Sequence, residues 1–252
     1  MVVNTNYLFN RLLEKLAVDV VCDVGSMDGS DALRFRGARP GAEIYAFECN
    51  PENVRLMRDD PRLRAGDIRI VPSAVSDQDG EAEFFLVPAD YSYSRRNDAR
   101  GMSSLYRRPS AVPPETVRVP TTRLDTFFRD KCTPKTRLAL WIDTEGKSFE
   151  VLQGTTGIAK QLRVLHIELE STNYVAPGQK LYPQVKAQLE KLGFTEVATD
   201  KSTTYPQFNA IFVRNTHSLP LLLWLKTYLF RDRLNYRLAA ALARLRSAGA
   251  HR

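Results

Sequence analysis

The chain is short of cysteine. Cys22, Cys49 and Cys132 are scattered through 252 positions. That is too few and too dispersed for a disulfide framework or a structural zinc site, and it makes a reducing cytoplasm the expected compartment. Long apolar runs are missing too. The longest near-apolar stretch, residues 219–225, falls far short of the roughly 20 residues a membrane span needs. The opening segment MVVNTNYLFNRLLEKL holds no apolar core of signal-peptide type. No internal repeat or low-complexity tract is present. The body of the chain also lacks a charge excess. The net charge is +7, and residues 214–252 alone hold eight Lys or Arg and one acid, so residues 1–213 balance 28 bases against 28 acids. A neutral body gives a polyanion little to grip, and nucleic acid is not an expected partner. With 43% hydrophobic and 26% charged residues, the composition is that of a globular protein, not a disordered or collagen-like one.

Residues 5–16 place Leu8, Leu12 and Leu16 on one helical face. Residues 18–24 form an unbroken apolar run closing on Gly25, as in a strand buried on both sides. A helix capped near Ser30 or Asp31 should follow. Residues 43–48 and 68–71 read as two more strands, with Pro51 suited to the first turn of the helix between them. This alternation predicts a parallel α/β sheet. Residues 81–87 and 116–123 read as strands of an insertion. Between them runs a polar stretch, 88–115, with Arg95, Arg96, Arg100, Arg107 and Arg108. Loops of that length are commonly lids or unstructured segments. The α/β pattern then resumes with strands at 138–143 and 164–170 and a helix at 149–154. A helix at 182–192, stopped by Gly193, and two closing strands at 194–198 and 210–213 complete it. Residues 219–246 read as a helix. Leu221, Leu225, Leu234, Leu238, Leu242 and Leu245 form its apolar stripe, and Lys226, Arg233, Arg237 and Arg244 its basic one. The expected organisation is one α/β domain over 1–215, with an insertion at about 81–123, and a basic amphipathic helical tail over 216–252.

The first strand delivers Asp23-Val24-Gly25-Ser26-Met27-Asp28-Gly29. Two glycines four apart at a strand-to-helix turn let a ligand come close to the backbone. Glu48 ends the second strand, where a carboxylate can accept both hydroxyls of an adenosine ribose, as in dinucleotide sites. The glycine spacing separates the ligands. A dinucleotide site uses G-x-G-x-x-G, but Met27 stands where the second glycine would clear room for pyrophosphate. D-x-G-x-x-x-G is the form of S-adenosylmethionine sites, and Asp23 is placed to help hold that cofactor's ammonium group through water or backbone.

Further segments follow in order: Phe47-Glu48-Cys49-Asn50-Pro51, Ser73-Ala74-Val75-Ser76-Asp77, Thr122-Arg123-Leu124-Asp125, Ile142-Asp143-Thr144-Glu145-Gly146, Val151-Leu152-Gln153-Gly154 and Ile167-Glu168. Together with the first motif they resemble the FkbM family of class I S-adenosylmethionine-dependent O-methyltransferases. The chain differs from the usual family pattern at Asp28, Trp141 and Ser148. The resemblance implies a doubly wound, Rossmann-like sheet of seven mostly parallel strands, with the last strand inserted antiparallel. It also implies that Asp23, Gly25, Ser26, Gly29, Glu48, Ser73, Ala74 and Asp143 form the cofactor site. Ser103 and Ser104 resemble a family feature and favour a lid.

Methyl transfer to an alcohol needs an aligned oxygen and a group that takes its proton. Ligands of open α/β sheets bind at the carboxyl ends of strands. The candidates there are Asp143, Glu145, Glu168 and Glu170, with Asp143 foremost. Asp143 with Glu168 or Glu170 can also hold a hard cation such as Mg²⁺. Glu145 and Glu170 can equally serve as caps or ion pairs at the sheet edge. His166, inside an apolar strand, reads as a satisfied core histidine before a base, and Cys22 and Cys49 read as packing. The arginine-rich loop suits an anionic acceptor or a solvated surface. The function expected is O-methylation of a small molecule, foremost a sugar of a glycan or glycolipid. The alternatives are a non-catalytic binding or membrane-recruitment module and an NAD-type oxidoreductase. The tail suits peripheral membrane contact, self-association, or packing on the domain.

Overall fold

The computed structural model describes residues 3–87, 99–109, 114–202, 204–215, 221 and 223–231. β1 (Val20–Val24) is buried at every position, as its apolar run requires. It lies between α1 (Thr5–Lys15) and α2 (Ser30–Ala38). β2 (Glu43–Phe47), α3 (Pro51–Asp59), α4 (Pro61–Ala65) and β3 (Ile68–Val71) complete the first half. β4 (Ala74–Val75), β5 (Gly80–Leu86) and β6 (Glu115–Thr122) make a separate small sheet, in which β5 and β6 pair antiparallel. The second half runs α5 (Leu124–Phe127), β7 (Leu138–Ile142), α6 (Ser148–Gln153), β8 (Leu162–Glu170), α7 (Tyr182–Lys191), β9 (Phe194–Thr199) and β10 (Gln207–Arg214).

The main sheet has seven strands in the order β3-β2-β1-β7-β8-β10-β9. β10 runs antiparallel to both neighbours and the other pairings are parallel. The chain winds outward from β1 to β3 and then returns to the other side of β1 with β7. That reversal opens a crevice at the carboxyl ends of β1 and β7, where ligands of such sheets bind.

Alternation along the strands feeds two apolar layers. Cys22, Val24, Leu140 and Ile142 face α5, α6 and α7 through Leu124, Leu152 and Leu189. Val21, Ile44, Ala139 and Trp141 face α1 and α2 through Leu12, Phe9 and Phe35. Phe9 meets Phe35 and Trp141 edge-on, each at a centroid distance of 5.4 Å. Truncating a buried phenylalanine of this kind to alanine costs roughly 3–5 kcal/mol.

Two local expectations need correction. The N-cap of α2 is Gly29, in the left-handed region at φ 76°, and no side chain of Ser30 or Asp31 caps the helix. The helix instead follows a turn in which Asp28 Oδ1 accepts from Ser30 N at 2.9 Å. α4 has no counterpart in the sequence reading. Asp60 starts it by accepting from Arg62 N at 2.8 Å, with Pro61 in its first turn.

The tail is helical at 221 and 223–231, and its apolar side packs on the domain. Leu221 and Leu225 are buried in the layer under α1, with Trp224, Tyr228 and Leu229 against it. Tyr228 stacks on Trp224 at 5.4 Å and on Tyr7 at 6.3 Å, while the Lys15 ammonium lies 5.8 Å over Trp224. Leu223 and Phe230 are exposed. Leu222, Leu234, Leu238, Leu242, Leu245, Arg233, Arg237, Arg244, Arg95 and Arg96 lie outside the described residues. Among the described residues no helix is long and apolar enough to cross a membrane.

Candidate active site

The crevice between β1 and β7 opens into a pocket of about 550 Å³, counting its open mouth. One half is built from the β1 turn. Gly25 holds φ 84°, and a Cβ there would stand 1.8 Å from the carbonyl oxygen of Asp143. Only glycine fits, because the turn lies against the exit of β7, where Asp143 N donates to Val24 O at 2.9 Å. Glu48, 7% exposed, accepts from the backbone N–H groups of Met27 and Asn50, both at 2.7 Å. Burial pushes its carboxyl above the ordinary range, and those backbone donors together with the side chain of Asn53 pull it back. Asn53 Oδ1 is buried, lacks a partner and belongs to a residue of the pocket wall. The wall thus offers acceptors and calls for a ligand that brings donors.

The other half is acidic. Asp143 leaves β7 and Glu145 sits in the next turn at φ 49°, both lining the pocket, whereas Glu168 stands beside them on β8 and, like Glu170, does not line it. Asp143, Glu145 and Glu168 can each present an oxygen within 4.8 Å of the others. Burial, with Asp143 next, raises Glu145 to about 7. Burial and the neighbouring carboxylates push Glu168 well above its usual value. Glu170, 2% exposed, is also raised to about 7, by burial first and then Glu145. These groups keep protons to neutral pH, which suits proton exchange.

A strap from the insertion, residues 99–109, crosses this region. It carries a 3-10 turn, Arg100–Met102. Gly101 rests against Met27, and Ser103, Ser104 and Leu105 line the pocket. Ser104 Oγ donates to the Glu145 carbonyl at 2.8 Å, and Arg108 forms an ion pair with the Glu145 carboxylate. Tyr106 donates to Glu150 at 3.1 Å beneath the Lys147 ammonium, which lies 3.8 Å from its ring. From β10, Gln207 donates to Glu145 at 3.3 Å and Glu168 at 3.2 Å.

Gly25, Glu48, Ser73, Ala74 and Asp143 line the pocket, whereas Asp23, Ser26 and Gly29 do not. Asp23 is fully buried under the turn and accepts from Ser26 Oγ at 2.6 Å. Its other oxygen has no partner, and burial raises its carboxyl to about 8. Gly29 turns the chain where a Cβ would come within 2.7 Å of Leu63. Among the described residues the oxygen cluster suited to a cation is Asp143, Glu145 and Glu168, and Glu170 is not part of it. The left-handed turn brings Glu145 to the sheet end, while Glu170 stands two residues further along β8. Cys49, read as packing, lines the pocket. His166 is a core residue. It stacks on Trp141 at 3.5 Å, pairs with Thr5 Oγ1 at 3.2 Å, and burial holds its pKa well below the usual value. Ser148 ties α6 to β8 by donating to Glu168 O at 3.0 Å. Sequence reasoning missed Asn53 and Gln207. Asn53 is an ordinary polar residue of an exposed-looking helix, and Gln207 becomes visible only through its pairing with Glu170 across β8 and β10.

A doubly wound sheet in this order, with one antiparallel strand inserted beside the edge and a glycine turn at its switch point, is a Rossmann-like α/β fold of methyltransferase type. The Methyltransferase FkbM domain family matches residues 23–196, and the chain belongs to that family. It is 29% identical over 169 residues to the 2-O-methyltransferase NoeI of Sinorhizobium fredii (strain NBRC 101917 / NGR234), covering 62% of this chain and 65% of that relative. The chain therefore spans a little under two thirds of the relative's length. Among solved structures, it is similar to the precorrin-6y C5,15-methyltransferase of Geobacter metallireducens GS-15, with a TM-score of 0.41 and 14% identity over 81% of this chain and 85% of that one. It is also similar to the 1,6-didemethyltoxoflavin-N1-methyltransferase of Burkholderia thailandensis, which holds S-adenosylhomocysteine, with a TM-score of 0.40 and 15% identity over 83% and 78% of the two chains.

Proposed function

We propose that the chain is a cytoplasmic O-methyltransferase that uses S-adenosylmethionine and acts on a hydroxyl of a small molecule, foremost a sugar of a glycan or glycolipid. The observation that carries this reading is the junction of two half-sites at one pocket, one offering buried acceptors and the other a cluster of proton-holding carboxyls. Family membership supports methyl transfer, and the name of the relative NoeI supports an oxygen acceptor.

The residues fit the cofactor. Glu48 and the unpartnered Asn53 Oδ1 present acceptors suited to ribose hydroxyls. Met27, at φ 54°, occupies the place where a dinucleotide would need glycine, which disfavours an NAD-type oxidoreductase. When bound, S-adenosylmethionine supplies an electrophilic methyl group on its sulfonium. The chain's own work is alignment and proton removal. Asp143 faces both half-sites and takes the acceptor's proton, and Glu145, Glu168 and Glu170 stabilise and share it. The strap forms one wall of the pocket.

Incubation with labelled S-adenosylmethionine and a cell glycan extract tests the reading. Label in a glycan, with the mass gain of one methyl substitution, is the expected result. Calorimetry should find S-adenosylhomocysteine bound and NADH not bound. NADH binding alone overturns the assignment, and cofactor binding with no transfer to any acceptor favours the non-catalytic module.

A second role rests on Leu223 and Phe230. They stand seven apart on one helical face, 55% and 66% exposed, with Lys226 between them. That face suits peripheral contact with an anionic membrane or with a second copy of the chain. Flotation with anionic vesicles and light scattering, each repeated on Leu223→Ser/Phe230→Ser, separate the two. If neither changes, both roles are excluded.

A further inference from the structure

Among the described residues few large apolar side chains stand in water. Tyr7, Leu223 and Phe230 belong to α1 and the tail, and Leu56 to α3. The remaining two, Tyr174 and Tyr205, are 45% and 61% exposed. Among the described residues neither ring stacks on another aromatic ring, and neither hydroxyl has a hydrogen-bond partner. A single exposed ring needs no explanation, but these two share a place. Tyr174 lies on the segment leaving β8, and Tyr205 on the segment entering β10. β10 runs antiparallel to β8 with Gln207 opposite Glu170, so both segments stand at the sheet end that carries the acidic cluster.

Backbone contacts brace both segments there. Ser171 donates to the Pro206 carbonyl from its backbone N–H at 2.8 Å and from its hydroxyl at 3.1 Å, which ties one segment to the other. The buried Gln179 accepts from the N–H groups of Val175 and Ala176 at 2.7 and 2.8 Å. Val175 is fully buried and packs on Gly146, where an added Cβ would come within 3.2 Å of it. Tyr174 therefore adjoins a residue that touches the turn after β7. Tyr205 stands two residues before Gln207, whose amide reaches Glu145 and Glu168. Two residues of extended chain span at most about 7 Å, a step on the scale of one pyranose ring. Each tyrosine is thus carried one or two residues from a side chain that contacts the Glu145 turn.

The chemistry of the spot suits carbohydrate. A pyranose has a face of C–H groups and a rim of hydroxyls. A tyrosine offers an apolar ring face with a polar tip, and it loses little conformational freedom in a contact. The exposed chain neighbours of the two rings are Thr172, Asn173 and Thr204. These are hydroxyls and an amide, not the basic run that an anionic lipid surface attracts.

We infer that Tyr174 and Tyr205 form a stacking platform at the mouth of the acceptor site, and that the acceptor is a chain of sugars. The sugar that receives the methyl group faces the Asp143–Glu145 turn, and its neighbour in the chain lies on the two tyrosines. This rests on the proposed methyl transfer to a sugar hydroxyl, and it adds that a free monosaccharide is a poor acceptor.

The test uses the full chain, with S-adenosylhomocysteine for binding and labelled S-adenosylmethionine for transfer. The probes are the oligosaccharide fraction of a cell glycan extract and the same fraction hydrolysed to monosaccharides. NMR of the chain with isotope-labelled tyrosine rings follows Tyr174 and Tyr205, assigned with Tyr174→Phe and Tyr205→Phe. The intact fraction should shift both ring signals and the hydrolysate neither. Tyr174→Ala/Tyr205→Ala should raise KM for the intact fraction about tenfold or more, with kcat and S-adenosylhomocysteine affinity within a few-fold. Tyr174→Phe/Tyr205→Phe, which keeps both ring faces, should hold KM near the wild-type value. Ring signals unmoved by the intact fraction, an unchanged KM in the double alanine variant, or monosaccharides methylated as well as the intact chains each overturn the inference. Signals that answer to anionic vesicles and not to glycan assign the rings to a lipid surface and overturn it too. Shifted ring signals with no methyl transfer to any sugar uphold the platform and discard the proposed function instead. Circular dichroism separates lost stacking from lost folding in the alanine variant, and the titration of the wild-type chain does not depend on that variant.

Discussion

The two halves of the pocket are built by opposite means. The half proposed for the cofactor is local: one strand-to-helix turn, one carboxylate at the end of the next strand, and backbone N–H groups that fix both. It holds a single negative side chain on the pocket wall, satisfied by the backbone of Asn50 two residues on and of Met27 in the neighbouring turn. The half proposed for the acceptor is built from the strap and the turn after β7, with β8 and β10 packed against that turn. It is crowded with carboxyls whose proton affinities are raised by burial first and then by one another. A local half resists change and recognises a constant ligand. An assembled half can be altered one segment at a time, which suits the partner that varies.

If that division holds, substitutions should sort by half, and the largest effect should come from the residue that touches both. Gly25→Ala forces a Cβ into the Asp143 carbonyl. It should abolish S-adenosylhomocysteine binding in calorimetry and turnover together, with the fold checked by circular dichroism. Asp143→Asn should lower turnover by about 10²–10⁴-fold, the usual span of a general base, and leave cofactor affinity within a few-fold. An equal loss of affinity would erase the division. Glu48→Ala should do the reverse. A charged hydrogen bond is worth roughly 1.5–3 kcal/mol, so Kd should rise about tenfold to a hundredfold with kcat retained at saturation.

The pH dependence sharpens the same contrast. Glu145 and Glu170 sit near 7, so kcat should climb as pH rises through that value, while cofactor affinity follows a different profile. The smallest effect lies under the cofactor turn. Asp23 has a folded value of about 8 against an ordinary 3.8. The folded chain keeps this proton longer than the unfolded chain does. The stability linked to it is complete below about 4 and declines as pH rises through 8. Asp23→Asn should therefore raise Tm at pH 8, by about 2 °C per kcal/mol recovered, and change it little at pH 4.

What the sequence made legible follows the same line. Gly25, Glu48, Ser73 and Ala74 stand in short motifs, and local backbone geometry puts them on the pocket wall. The core strands followed from apolar runs at strand spacing and the antiparallel last strand from the family resemblance, while the order of the strands is visible only in the structure. Asp23 sits in the same motif yet misses the pocket, because strand alternation turns its side chain beneath the turn rather than into the crevice. Arg108 was visible as one arginine among several, but its partner Glu145 is 37 residues away and no periodicity links them. Gln207 carries no pattern at all. Its role comes from the register of β10 on β8. The tail shows the limit from the other side. Its amphipathic pattern was clear, but periodicity cannot say whether an apolar stripe meets lipid, a partner or its own domain, and Leu221 and Leu225 meet the domain.

That contact has a consequence for synthesis. α1 leaves a ribosome long before Leu221, Leu225 and the rings of Trp224 and Tyr228, which finish the layer that covers it. Its apolar surface must stay partly open until those residues have been made. Closing this helix with residues beyond position 220 is a contact of long sequence separation, and such closures are slow. A nascent chain stalled before residue 221 would show chaperones and neighbouring chains a patch that the finished protein hides.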